Sequence, residues 1–260
     1  MTKIIVKDKN SLEKIIKEEI EKHGNECDLN FIDTSLIEDM SYLFESSQFN
    51  GDISKWNTSN VHDMSFLFYN SKFNGNISDW NTSRVENMRS MFSFSSFNGD
   101  ISQWNTSSVE DMDGMFSDSQ FNGDISRWDT SKVEYMTSMF CNSKFNSDIS
   151  AWSTSKVEDM YAMFLYSQFN GDISKWDVSK VENMDNMFDG SQFTGDVSDW
   201  NACKLVYING IFTNCSAPVP YWYQIINRDE RKFAIETYQN KQQLETVLVK
   251  QFKNKSMIKI

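Results

Sequence analysis

The chain has 260 residues, 39% hydrophobic and 24% charged, with a net charge of −12. That acidity disfavours direct contact with nucleic acid or an anionic membrane, whose phosphates it would repel, and no stretch approaches the roughly 18 consecutive apolar residues of a membrane span. The charge is also uneven, with eleven basic and twenty-seven acidic side chains over residues 28–216, a balance of −16, and eight against four over 217–260, a balance of +4.

Residues 1–27 come first. "TKIIVKD" reads as a strand, and Leu12, Ile15, Ile16 and Ile20 form a helical stripe that Gly24 ends. From residue 28 a repeat takes over. Trp stands at 56, 80, 104, 128, 152, 176 and 200, and Phe at 49, 73, 97, 121, 145, 169 and 193, each spaced by 24 residues. A constant period over most of a chain is the mark of stacked repeats, not of one central core.

In the unit "FNGDISKWNTSNVHDMSFLFYNSK", residues 49–72, Asn50-Gly51 signals a turn with positive φ and Asp52-Ile53-Ser54 a short strand. Val61, Met64, Leu67 and Phe68 then fall at i, i+3, i+6 and i+7, which predicts a short helix with one apolar stripe. A Ser-x-x-Glu box at Ser35/Glu38, Ser83/Glu86, Ser107/Glu110, Ser131/Glu134, Ser155/Glu158 and Ser179/Glu182 marks its start, with His62 in place of Glu once. The regular carboxylates are therefore read as structural, the Glu column as caps and the Asp52 column as turns. A calcium track is the less favoured alternative, since calcium-binding solenoids use shorter repeats.

The repeat runs to residue 216. "CDLNFIDTSLIEDMSYLF" opens it in phase without the FNGD turn, and Leu205, Ile208, Ile211 and Phe212 close it before Pro218 and Pro220. Residues 217–260 read as a strand and then a helix, a second cap or a partner-binding appendage. The expected architecture is an α/β repeat solenoid of about eight coils, a curved stack of short strand plus short helix, capped at both ends.

"FNGDISKWDVSKVENMDNMF", residues 169–188, resembles the BspA-like leucine-rich-repeat family, and the resemblance covers residues 28 to about 216. It implies a curved strand-and-helix solenoid that binds other macromolecules, is not an enzyme and carries no catalytic residues. Family members are often exported. Here no export signal or lipid-attachment Cys is found in the chain as given, so a cytoplasmic location is expected.

Cys27, Cys141, Cys203 and Cys215 follow no C-x-x-C spacing, and the two histidines, His23 and His62, are isolated. Neither a metal site nor a disulfide framework is expected from that pattern, and no cofactor. No nucleophile–base pair or phosphate loop is evident, so catalysis ranks last.

The leading expectation is a non-catalytic scaffold for a protein partner with a basic surface. The alternative is an acidic inhibitor that mimics nucleic acid and blocks a basic enzyme. The predicted helix turns one face outward, and there Tyr42, Phe66, Tyr69 and Phe94 would lie together near one end, with a smaller group of Tyr161, Leu165 and Tyr166 further on. Clustered aromatics resemble an interface centre; the opposing expectation is that the N-terminal cap folds over the first group.

Overall fold

The computed structural model describes residues 3–257, so Thr2 of the predicted first strand and residues 258–260 lie outside it. Strand β1 (Ile4–Ile5) and helix α1 (Lys9–His23) precede strand β2 (Ile32–Asp33), and a 3-10 turn (Tyr221–Gln224) precedes helix α2 (Arg228–Met257). Between β2 and the 3-10 turn the chain forms neither helix nor strand. It winds instead through eight stacked coils, linked by single parallel bridges that run from Asp39 through Asp63, Asn87, Asp111, Tyr135, Asp159 and Asn183 to Tyr207.

The short helix expected in each coil is not formed. In the second coil, Leu67, Tyr69 and Ser71 donate to the carbonyls of Met64, Phe66 and Phe68, three residues back. Phe66 and Asn70 have φ of 56° and 53°, which makes Met64–Leu67 and Phe68–Ser71 two type II turns. The alternate N–H groups, of Met64, Phe66, Phe68 and Asn70, donate to Asn87, Arg89, Met91 and Ser93 of the next coil at 2.8–3.0 Å. A helix of two or three turns nucleates poorly, whereas a neighbouring coil offers an acceptor to every second N–H. The apolar spacing is served equally well by the turns, since Val61, Met64, Leu67 and Phe68 are all fully buried.

The capping boxes are absent with the helices. In the boxes other than Ser155/Glu158 the Ser N–H donates to the Asn or Asp two residues before it, as in Ser83 to Asn81 at 3.1 Å and Ser131 to Asp129 at 2.9 Å. The strand expected at Asp52–Ser54 is also missing. Asp52 does hold a turn: its carboxylate accepts the Ser54 N–H at 2.9 Å, an arrangement repeated at Asp100, Asp124, Asp148, Asp172 and Asp196 and by Asn76. The glycine of FNGD does not adopt positive φ. At Gly123 a Cβ would stand 2.8 Å from the Phe121 ring, so the residue is small because the ring folds back over it.

Several constant residues of the repeat tie one coil to another. Asn50 accepts the Asn74 N–H at 2.8 Å, and the Thr58 hydroxyl donates to the Asn81 carbonyl at 3.0 Å. Each Trp indole N–H donates to a carbonyl of the preceding coil, Trp128 to Ile101 at 3.1 Å, so a buried ring carries a satisfied polar handle. Phe and Trp rings stack in columns, with Trp128 and Trp152 6.4 Å apart and Phe116 and Phe140 5.8 Å apart.

Both ends are closed by other means. At the start β1 pairs in parallel with β2, and α1, capped by Asp8 and ended by Gly24, buries Leu12 and Ile16. At the far end Trp222 continues the indole series off the 24-residue spacing, donating to the Val197 carbonyl at 3.3 Å. The strand predicted in residues 217–260 is instead part of the continuous helix α2. From it Arg231, 1% exposed, donates to the carbonyls of Ala202 (3.2 Å), Ile225 (3.0 Å) and Leu205.

Replacing Trp128 with Ala should cost about 3–5 kcal/mol as a buried large-to-small change and should lower amide protection near Trp104 and Trp152 as well. Protection confined to its ordinary level in those coils would contradict the stacking. A second expectation concerns acid. Hydrogen bonds from the Ser N–H hold Asp100, Asp124, Asp148 and Asp172 below their ordinary pKa of 3.8. Groups depressed in the folded state stabilise it above the unfolded pKa, and that contribution is lost as pH falls through the folded values. Replacing these four with Asn, as at Asn76, should therefore shrink the loss of melting temperature below pH 3.8, and an unchanged acid limb would count against it.

Candidate functional site

The two positive-φ positions of each coil lie on one outward strip. The first column runs Tyr42, Phe66, Ser90, Gly114, Ser138, Ala162, Asn186 and Gly210, and the second runs Ser46, Asn70, Phe94, Asp118, Asn142, Tyr166, Gly190 and Asn214. Gly and Asn suit left-handed backbone, and other L-residues pay roughly 1–2 kcal/mol for it. Tyr42, Phe66, Phe94 and Tyr166 therefore occupy the positions where the fold gains least from a large ring.

The first predicted group is contiguous. Tyr42 stacks on Phe66 with centroids 4.7 Å apart and planes 5° apart, Phe66 meets Tyr69 at 5.6 Å, and Tyr69 meets Phe94 edge-on at 5.7 Å. Tyr42 is 48% and Phe94 51% exposed, with Phe66 and Tyr69 half-buried between them. The N-terminal cap reaches this ridge through Lys9, whose Nζ lies 5.8 Å over the Tyr42 ring and 3.2 Å from Asp39, and it leaves the other rings uncovered among the described residues. In the second group Tyr161 and Tyr166 are exposed and Leu165 half-buried. The Tyr166 ring lies over Gly190, where a Cβ would collide with it.

Beyond the ridge the strip drops to small residues. A concavity of about 360 Å³ is walled by Phe66, Tyr69 and Phe94, floored by Ser90 and Gly114, and edged by Arg89 and Asp113. Arg89 Nη1 lies 3.0 Å from Asp113 and 3.8 Å from Asp111. Asp113 also accepts the Thr137 N–H at 2.7 Å. Even so, burial and the Asp111 charge push its carboxyl up to about 6. Arg89 and Asp113 lie outside the residues expected at the site. Their signal was a column that is Ser, Ser, Arg, Asp, Thr, Tyr, Asp, Asn from coil to coil and so is free of any duty common to every coil.

The Glu column has lost its predicted purpose. With no helix to cap, it serves the coils through its main chain: the Glu38 carbonyl accepts from His62 at 2.8 Å and the Glu86 carbonyl from Glu110 at 2.8 Å. The side chains of Glu38, Glu86, Glu110, Glu158 and Glu182 are exposed and that of Glu134 half-buried. Like charges on adjoining rungs repel, so this row is a cost the fold carries.

The family described as "Mycoplasma protein of unknown function, DUF285" matches residues 11–120, 93–168 and 142–218. The chain belongs to this family, and the three overlapping matches mark it as a repeat protein. No curated protein and no solved structure matches it.

Because Asn70, Asn142 and Asn214 fill the second positive-φ column without difficulty, Phe94→Asn should leave the melting temperature unchanged or raise it. A lowered melting temperature would show that the ring belongs to the packing.

Proposed function

We propose that this chain is a non-catalytic scaffold that binds a protein partner with a basic surface. The observation that carries the reading is the contiguous ridge of Tyr42, Phe66, Tyr69 and Phe94, in which Tyr42, Phe66 and Phe94 stand on backbone that favours Gly or Asn. Rings placed where they cost stability, on an array with a balance of −16 over residues 28–216, have the composition of an interface centre. The Glu column supports the same reading, since a basic partner would relieve its self-repulsion.

The finer architecture belongs with this proposal. The turn-side rings of Phe68, Phe92 and Phe116 are 5.7–5.8 Å apart, while the Trp rings are 6.4–6.5 Å apart. That difference supports a curved, leucine-rich-repeat-like stack of the BspA-like kind, with the turn strip on its inner, shorter side. The four cysteines are free, which suits a reducing compartment.

A mimic of nucleic acid is the second reading, favoured by the regular spacing of the Glu side chains along the stack. One comparison separates the two. The wild-type chain and a Phe66→Ser, Tyr69→Ser variant are used to capture proteins from lysate, and each captured protein is then purified and titrated. A scaffold loses its partner in the variant while melting is unchanged, because Ser90 and Ser93 occupy the same columns one coil on. Binding that survives the variant, collapses between low and moderate salt and is competed by duplex or single-stranded nucleic acid would instead support the mimic.

A further inference from the structure

The column that begins with Tyr42 and Phe66 stops being aromatic at Phe66. Its next members are Ser90 and Gly114, so the concavity of about 360 Å³ occupies the place where a third stacked ring would stand. Phe66 contributes to the wall of that space, and Tyr69 and Phe94 close one side.

The opposite edge is short of positive charge. Asp111 and Asp113 share the single guanidinium of Arg89, at 3.8 and 3.0 Å. Asp113 is nearly buried, its side chain 14% exposed. The groups that face its carboxylate are Asp111, Arg89 and the Thr137 N–H. A planar cation meets both halves of this site, because a guanidinium stacks on an aromatic face and pairs with carboxylates in one plane. Lysine, a compact and strongly hydrated point charge, matches only the second half.

We propose that this concavity receives the guanidinium of an arginine side chain from a basic protein partner, stacked against Phe66 and paired with Asp113. The proposal rests on the scaffold reading above and names the side chain that the ridge would accept. Charge complementarity selects the occupant: the repeat carries −16 over residues 28–216, and at this edge of the strip two carboxylates, Asp111 and Asp113, share one guanidinium.

The test uses the full chain, labelled with nitrogen-15, and three small probes: N-acetylarginine amide, its neutral isostere N-acetylcitrulline amide, and N-acetyllysine amide. The arginine probe should give saturable shifts at the amides of Ser90, Gly114 and Thr137, with at least fivefold weaker binding for the other two. Asp113→Asn should weaken the arginine probe by a similar factor without lowering the melting temperature, since Asn209 already fills that column and an Asn oxygen can still accept the Thr137 N–H. Binding should also weaken as pH falls through 6, where Asp113 takes up its proton. Equal shifts with citrulline, shifts centred elsewhere, or full affinity in Asp113→Asn would overturn the arginine site. The scaffold reading would survive such a result if Phe66→Ser, Tyr69→Ser still abolished partner binding, so the two failures are distinguishable.

Discussion

The structure depends on how each coil divides its backbone N–H groups. Along Met64–Ser71 they alternate, one closing a turn within the coil and the next reaching the following coil. Buried backbone donors must be satisfied somewhere, and this alternation satisfies them without any regular element longer than a single bridge. It also sets the backbone shape, because a train of type II turns needs positive φ twice per coil. Coil cohesion is therefore distributed, and no coil holds itself together. The side-chain bonds of Asn50, Thr58 and Trp56 follow the same rule, each ending on a neighbouring coil.

A stack of this kind has a problem at each end, where one side has donors or acceptors and no coil to meet them. The first coil borrows a strand and a helix. The last uses single residues: Trp222 supplies the final indole bond, and the Arg231 guanidinium gathers the carbonyls of Ala202, Leu205 and Ile225. A buried guanidinium must be hydrogen-bonded, and here three carbonyls receive it at once. The outward strip, by contrast, is under no such demand, and that freedom is where Tyr42, Phe66, Arg89, Asp113 and Tyr166 differ from the residues above and below them.

The period, the buried columns and the extent of the repeat were legible in the sequence because Trp, Phe and Ile at fixed spacing leave few alternatives. The local conformation was not. Val61, Met64, Leu67 and Phe68 fit a helical stripe, yet two consecutive type II turns bury the same residues, and the choice between them depends on acceptors in the next coil that no single repeat displays. Ser-x-x-Glu misled for a related reason, since in five of the six boxes the Ser N–H is taken by an Asn or Asp two residues earlier. The aromatic ridge was expected on the outward face of a helix that is not formed, and its rings adjoin all the same because the 24-residue spacing stacks their columns. Arg231 could not, because its partners lie 26 and 29 residues away, in a coil outside its own segment.

The central claim, that coils are held by bonds running between them, is tested most directly by hydrogen exchange of the Trp indole N–H groups, resolved by NMR in the native chain. Those of Trp104, Trp128, Trp152 and Trp176 should exchange slowly and at a common rate set by cooperative opening, with Trp56 and Trp222 faster at the ends. Exchange within seconds at the central indoles, or rates that differ from coil to coil without regard to position, would contradict a stack whose members depend on one another.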